Sequence, residues 1–172
     1  MGKRPDPAEA AEYYFLYIDQ VADCDILETL EIQEREVIEL LDGIGDDGSL
    51  RRYAADKWSI REVVNHLSDT ERLFVFRAFW FARGFDTPLP SFDQNIAASA
   101  AAADSRSWRS LVREFQVVRA GSRAFFESLP AEAWERRGIA SDRPFSVNAL
   151  AYLTAGHVAH HVKILREKYL RA

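Results

Sequence analysis

The segment after Ser59 constrains the fold more than any other part of this sequence. Ser59 is a preferred N-cap residue, and Glu62 follows three residues later, which is the spacing of a capping box. No Gly or Pro interrupts the chain until Gly84. The pattern therefore predicts one long helix over residues 60–82, with His66 about two turns from its start.

Three further long helices are predicted from apolar residues that recur near helical spacing. The first covers residues 25–41, which can begin with Asp25 as a cap and ends in a Gly-rich loop. The third begins at Asp104 or Ser105 and reaches about residue 128. The last begins after the N-cap candidate Ser146 and reaches about residue 169.

The shorter segments complete a predicted all-α fold. Residues 9–23 are interpreted as a short helix or a clamp over the bundle, residues 97–103 as a short Ala-rich helix and residues 130–144 as a connector. With no alternating strand pattern, the sequence predicts a four-helix bundle with a short N-terminal helical segment and long connectors. We expect a flexible lead over residues 1–8 and a single bundle domain over residues 9–172.

Composition limits the classes of function that the chain can have. Its 172 residues suggest one domain, and a net charge of −5 argues against a nucleic-acid binder. A single cysteine, Cys24, excludes an internal disulfide framework and is interpreted as a packing residue. No secretory signal is recognised, and no apolar run approaches the roughly 20 residues that span a bilayer. We therefore expect a cytoplasmic protein with no membrane segment.

The histidines suggest where the chemistry lies. Three of the four fall at positions 157, 160 and 161. At about 100° per residue, His157 and His161 lie about 40° apart on the apolar stripe of the last helix, with His160 at its edge. The i, i+4 spacing lets two imidazoles reach one ion. His66 also lies on a mostly apolar face, so all three side chains are predicted to point into the core.

Two interpretations of these histidines stay open on the residues alone. A buried imidazole needs hydrogen-bond partners, and one divalent metal bound by His66, His157 and His161 would satisfy a nitrogen on each. The alternative is that each is an ordinary core histidine with hydrogen bonds inside the protein.

Two segments resemble the DinB/YfiT-like superfamily. The first is Tyr53-x4-Trp58-Ser59-Ile60-x2-Val63-x2-His66-Leu67-x-Asp69-x-Glu71, and the second is Gly156-His157-x2-His160-His161-x2-Ile164-Leu165-x3-Tyr169. The resemblance implies an up-down-down-up path for the four helices. It also implies a histidine triad of metal ligands, His66, His157 and His161, with His160 as a neighbour.

The resemblance also suggests a class of reaction. Similar proteins in the superfamily include S-transferases and isomerases that use bacillithiol or mycothiol. We therefore expect a metal-dependent S-transferase with a low-molecular-weight thiol and a small-molecule substrate. The alternatives are a metal-dependent hydrolase and a non-catalytic metal-binding or stress-associated helical protein. Zinc or nickel is the first expectation for the metal, followed by iron or manganese.

Three further residues or faces carry predictions. Asp69, three residues after His66, is a candidate to orient a histidine ring or to act as a base. Arg77 is expected to form an ion pair with an acid such as Glu114, the alternative being an anionic substrate. Aromatic residues surround the predicted second helix, so we expect a homodimer through its aromatic face. They are Phe74, Phe76, Phe79, Trp80 and Phe81.

Overall fold

The computed structural model describes residues 3–22 and 25–170, and these form the predicted bundle of four long helices. The long helices are α2 (Ile26–Asp42), α4 (Ile60–Ala82), α6 (Trp108–Glu127) and α7 (Val147–Ile164). Three short helices lie between or before them, α1 (Phe15–Ile18), α3 (Gly45–Gly48) and α5 (Gln94–Ala101). A π-helical turn, Leu165–Tyr169, continues α7. Single 3-10 turns are formed by Pro7–Glu9, Glu12–Tyr14, Ala103–Ser105 and Ala131–Ala133.

Side-chain contacts give the direction of each long helix. The indole of Trp108 donates to Leu41 O at one end of α6, and Arg119 donates to Leu30 O further along, so α6 is antiparallel to α2. α4 is parallel to α6 and antiparallel to α7. The contacts that establish this are Arg72–Glu114, Phe79–Phe125, Phe74–His157 and Trp58–Tyr169. The predicted up-down-down-up path is therefore confirmed.

The start of α4 agrees with the sequence pattern, and the start of α6 does not. Ser59 Oγ accepts from Glu62 N, and the Glu62 carboxylate accepts from Ser59 N, which completes the capping box. The prediction that Asp104 or Ser105 caps α6 is wrong, because Ser107 is the N-cap. The Asp104 carboxylate instead accepts a hydrogen bond from Ser59 Oγ at 2.5 Å. Asp104 therefore stabilises the start of α4 rather than that of α6.

A two-stranded antiparallel sheet, which the sequence analysis missed, lies in the connector before α7. It pairs β1 (Arg137–Ala140) with β2 (Arg143–Ser146) around a two-residue turn. Both turn residues, Ser141 and Asp142, have positive φ, as the common tight hairpin turns require. The sequence predicted only a connector over residues 130–144, because this turn lacks the Asn-Gly or Asp-Gly sequence that usually marks a hairpin.

The segment before α2 packs along α7 and β2. Asn148 Nδ2 donates to Lys3 O at 2.9 Å, and Arg4 forms an ion pair with Asp19 at 2.5 Å. Ala10 pairs with Phe145 in an isolated β-bridge. The domain boundary proposed after residue 8 stays a prediction, and Met1, Gly2 and Cys24 lie outside the described residues.

The aromatic face of α4 is only partly exposed. Phe74 and Phe81 are buried, whereas 48% of Phe76 and 37% of Phe79 are exposed. The Trp80 ring stacks on Phe85 with centroids 4.2 Å apart. The homodimer through this face stays a prediction. Within residues 3–22 and 25–170, no helix has the length and apolar content needed to cross a membrane.

One buried arginine connects all four long helices. Arg119 on α6 is fully buried, and its Nε and Nη2 donate to the two carboxylate oxygens of Glu71 on α4 at 2.9 and 2.8 Å. Its Nη1 donates to Leu30 O and Gln33 Oε1 on α2. Gln33 in turn donates to Ala155 O on α7 at 2.9 Å. The four helices therefore share one hydrogen-bonded network at the centre of the bundle.

We predict that Arg119→Met lowers the free energy of unfolding by about 3–5 kcal/mol, because it leaves the buried Glu71 carboxylate without its counter-charge. Replacing Glu71 by Leu in the same protein should recover most of that loss, since no buried charge then remains. Urea denaturation measures both values.

Arg123→Met, one turn further along α6, is the matched control. Arg123 pairs with the partly exposed carboxylates of Glu31 and Glu34, so its loss should cost about 1 kcal/mol or less. Equal losses for Arg119→Met and Arg123→Met would contradict the role assigned to the network.

Candidate metal centre

His66, His157 and His161 converge inside the bundle. The Nε2 atoms of His66 and His157 are 3.1 Å apart. One ligand nitrogen from each of the three rings can be chosen so that all lie within 4.8 Å of one another. The ring centroids are 4.6–5.0 Å apart. The cluster could therefore hold one metal ion.

The convergence follows from the helix geometry. α4 supplies His66 and the antiparallel α7 supplies His157 and His161, which lie one turn apart on the same helix face. Tyr169 Oη donates to Trp58 O at 2.7 Å and so joins the turn after α7 to the start of α4. This contact holds the two histidine-bearing helices together beside the cluster.

The donor geometry fits a transition metal. Zinc–imidazole bonds of about 2.0–2.1 Å place two nitrogens of a tetrahedral site roughly 3.3 Å apart, close to the 3.1 Å between the two Nε2 atoms. Thr70 Oγ1 lies 3.3 Å from His66 Nδ1. If Nδ1–H donates to this hydroxyl, the lone pair of His66 is on Nε2, the nitrogen that faces the cluster. The residues present therefore fit a divalent metal with imidazole ligands.

Burial favours the neutral, metal-binding form of these imidazoles. His66 is 4% exposed and His157 is 6% exposed. Burial lowers the pKa of His66 to about 4 and, together with the neighbouring histidines, lowers the pKa of His161 to about 3. The pKa of His157 is also lowered, mainly by burial. All three rings are therefore unprotonated at neutral pH and can offer lone pairs.

Aromatic side chains enclose the cluster. The Trp58 ring lies 4.9 Å from the His66 ring, and Phe74 meets His157 edge-on at 5.9 Å. Tyr17 on α1 covers His157 at 5.5 Å. A Cβ at Gly156 would lie 2.3 Å from Tyr17 O, so this position on α7 needs glycine for α1 to approach. The glycine thus allows the N-terminal segment to cover the histidines.

A cavity of about 500 Å³ opens beside the cluster. His66 and His157 line it, and its walls also include Thr70 and Arg77 from the same face of α4. Aromatic side chains make up much of the remaining wall, namely Tyr13, Tyr14, Tyr17, Phe74 and Phe92. A small organic molecule could therefore lie in contact with the histidines.

Two predicted neighbours of the triad have other partners. His160 Nδ1 lies 3.2 Å from Gln20 Nε2, and its ring packs on Tyr17 outside the cluster. The half-buried Asp69 carboxylate accepts hydrogen bonds from Asn65 at 2.7 Å and Arg72 at 3.2 Å. The catalytic or orienting role of Asp69 stays a prediction, and these contacts favour Thr70 as the group that orients His66.

Arg77 differs from its predicted role. Glu114 accepts from Arg72 and Arg106, so the expected Arg77–Glu114 ion pair is wrong. Arg77 instead donates to Pro90 O and Ser141 Oγ at the edge of the cavity.

The roles of Thr70 and Tyr17 at the site were missed by sequence reasoning. The i, i+4 spacing from His66 could have indicated Thr70, but Tyr17 reaches the site only through the tertiary packing of α1.

Comparison with known proteins agrees with the observed fold. The family model of the DinB superfamily matches residues 29–165. No curated protein sequence matches the chain.

Solved structures share the fold at low sequence identity. YfiT from Bacillus subtilis, a probable metal-dependent hydrolase with an unusual four-helix bundle topology, is 16% identical with a TM-score of 0.67, and the match covers 94% of this chain and 91% of that chain. A mycothiol-dependent maleylpyruvate isomerase gives a TM-score of 0.68 at 12% identity, over 81% of this chain and 58% of that chain. A mutant of that isomerase gives 0.71 at 10% identity, over 86% of this chain and 60% of that chain. These likenesses establish the fold.

We predict that the metal-free protein loses stability as the pH falls below about 6.5, the ordinary pKa of histidine. The folded state keeps His66 neutral down to a pKa of about 4, whereas the unfolded chain takes up the proton near pH 6.5. The loss therefore accumulates between these two values, at no more than about 1.4 kcal/mol per pH unit for each buried histidine. Urea denaturation with a chelator measures it.

The variant His66→Gln separates this effect from the titration of carboxylates. Its stability should fall less steeply between pH 6.5 and 4 than that of the unchanged protein, because one buried titrating group has been removed. His160→Gln, at the partly exposed neighbour, should alter the slope less. Identical slopes in all three proteins would show that the buried imidazoles do not control acid stability.

Proposed function

This chain belongs to the DinB superfamily, and on that premise we propose that it is a metal-dependent S-transferase. In this proposal His66, His157 and His161 bind one divalent transition metal, with zinc or nickel first, then iron or manganese. A low-molecular-weight thiol is joined there to a small electrophilic substrate.

The observation that carries the proposal is the 3.1 Å separation of two buried imidazole nitrogens beside an open cavity. Without a metal, these two nitrogens can share only one hydrogen bond, and the His161 ring adds a third imidazole to the same buried site. Three protein ligands leave at least one coordination position for water or substrate, which is typical of catalytic rather than structural zinc sites. A bound metal of this kind stabilises a thiolate or hydroxide at neutral pH.

The chain's own residues would orient the metal ligands and hold the thiol. Thr70 would orient the ring of His66, and Trp58 and Phe74 pack against the imidazoles. The aromatic wall provides apolar and hydroxyl contacts for the body of an organic thiol. Burial raises the pKa of Tyr17, which therefore remains a neutral hydrogen-bond donor near His157.

The transfer conserves atoms and charge. The thiol gives its proton to solvent, and a sulfur lone pair forms a bond to an electrophilic carbon of the substrate. The electron pair of the bond broken at that carbon goes with the leaving group or, in an addition, onto the adjacent atom, which then takes up a proton.

A metal-dependent hydrolase is the second candidate. The neighbour that aligns over 94% of this chain is described as a probable metal-dependent hydrolase. The same three histidines would serve both functions. A third candidate is a non-catalytic metal-binding or stress-associated helical protein, in which the metal would only hold α4 against α7. We put the thiol before water as the bound nucleophile because the similar isomerase is described as mycothiol-dependent.

We predict about one equivalent of metal in protein purified without a nickel column, and its loss in His157→Ala. Removing one of three ligands leaves two nitrogens, too few for stable binding. His160→Ala is the matched control and should keep its metal, because His160 lies outside the cluster. Elemental analysis measures the content. Full metal content in folded His157→Ala would falsify the triad.

The same proteins separate the three candidate functions. Mycothiol, bacillithiol or glutathione added to the cobalt(II)-substituted protein should produce a thiolate-to-cobalt absorption band if the thiol binds the metal. Hydrolysis of ester or amide substrates without any such band would favour the hydrolase. Metal removal that unfolds the bundle, with no exchangeable coordination position, would favour the structural protein.

A further inference from the structure

Arg77 has the least satisfied charge among the buried arginines of the described chain, which are Arg61, Arg77 and Arg119. The Arg119 guanidinium binds both oxygens of Glu71. That of Arg61 binds the Asp46 carboxylate as well as backbone and hydroxyl oxygens. In both cases a carboxylate of the protein supplies the counter-charge that a buried cation needs.

Arg77 has no such partner. It is 3% exposed, and only its Nη2 donates, to Pro90 O at 3.2 Å and Ser141 Oγ at 2.8 Å. Its Nε is buried without any hydrogen-bond partner. No carboxylate within residues 3–22 and 25–170 forms an ion pair with it. Burial lowers the pKa of Arg77.

Arg77 also lies on the same wall as the metal-centre candidate. Residues 66, 70, 74 and 77 follow one face of α4, since eleven residues return a helix to within about 20° of its starting direction. Arg77 and His66 both line the 500 Å³ cavity. The eleven residues span about 16 Å along the helix axis, so the two side chains lie towards opposite ends of it.

We infer that Arg77 is an anion-binding subsite of this cavity, and that the molecule held there carries a carboxylate at the end remote from its reacting atom. This inference rests on the proposed function, because His66 and its metal define where the reacting atom lies. Nη1 donates to no group of the described chain, so its donors remain for a carboxylate oxygen.

The other charge in the cavity favours a singly charged group. Asp93 also lines the cavity, and its Oδ1 accepts from the backbone N–H groups of Asn95 and Ile96 at the start of α5. A carboxylate adds one negative charge beside Arg77. A phosphate dianion would add surplus negative charge to a space that already holds Asp93.

A series of ω-mercaptocarboxylates of increasing chain length tests the subsite. Their thiol binds the metal of the cobalt(II)-loaded protein, and their carboxylate reaches Arg77 at one length only. The matched ω-mercaptoalcohols lack the charge. At that length the carboxylate should bind about tenfold or more tightly than the alcohol, the usual effect of a charge-assisted hydrogen bond. The cobalt absorption band measures both affinities. Equal affinities at every length would overturn the inference.

Variants distinguish the charge of Arg77 from its hydrogen bonds to the loops at Pro90 and Ser141. Arg77→Met should remove the advantage of the carboxylate over the mercaptoalcohol of the same length. Ser141→Ala removes the hydroxyl bond to Arg77 but keeps the guanidinium, so it should retain the advantage. Arg77→Lys, which keeps the charge without the planar fork, should retain part of it. A carboxylate advantage that persists in folded Arg77→Met, or that is lost equally in Ser141→Ala, contradicts the subsite.

Alkanoates without a thiol distinguish this inference from the proposed function. If no thiol binds the metal, but alkanoates bind the unchanged protein and not Arg77→Met in calorimetric titrations, the S-transferase fails and the anion subsite stands. If mercaptoalcohols bind the metal and carboxylates gain nothing from Arg77, the subsite fails and the metal site stands. If Arg77→Met does not fold, Arg77→Lys and the length series in the unchanged protein decide the outcome.

Discussion

The ion pair between Arg119 and Glu71 is the contact on which the arrangement of the bundle most depends. It joins α6 to α4, and through Leu30 and Gln33 it also reaches α2 and α7. A buried pair of this kind adds little net stability compared with apolar packing, but breaking it is costly. An axial shift of one helix would leave these buried donors and acceptors without partners, so the network favours the observed register.

That register positions the histidines. Glu71 lies on α4 between His66 and Arg77, and Gln33 donates to Ala155, two residues before His157. The network therefore contacts both histidine-bearing helices within about one and a half turns of the cluster. A metal site needs its ligands within a few tenths of an ångström of the required positions. In this chain a polar core behind the histidines contributes to placing them, so their convergence is built into the packing of the helices.

The features read correctly from sequence were those set by local periodicity. The Ser59–Glu62 capping box, the four long helices and the inward direction of His66, His157 and His161 all depend on spacing along one helix. The start of α6 was misplaced because Asp104 is used by Ser59, a residue far away in the chain. The hairpin around Ser141, the cover of Tyr17 over His157 and the environment of Arg77 likewise arise from tertiary contacts, which no local pattern encodes.

Two buried charges on α4, those of Glu71 and Arg77, have opposite environments. At Glu71 each donor and acceptor of the pair finds a partner within the protein, as a stable interior requires. Six residues further along α4, Arg77 lines a cavity, and its buried Nε has no hydrogen-bond partner. The packing that satisfies the first residue could have supplied an acid for the second, as it does for Arg61. An unpaired buried donor costs about 1–3 kcal/mol, and such local losses are expected at sites of function. The unsatisfied guanidinium and two of the clustered imidazoles line one cavity, as the proposed binding site requires.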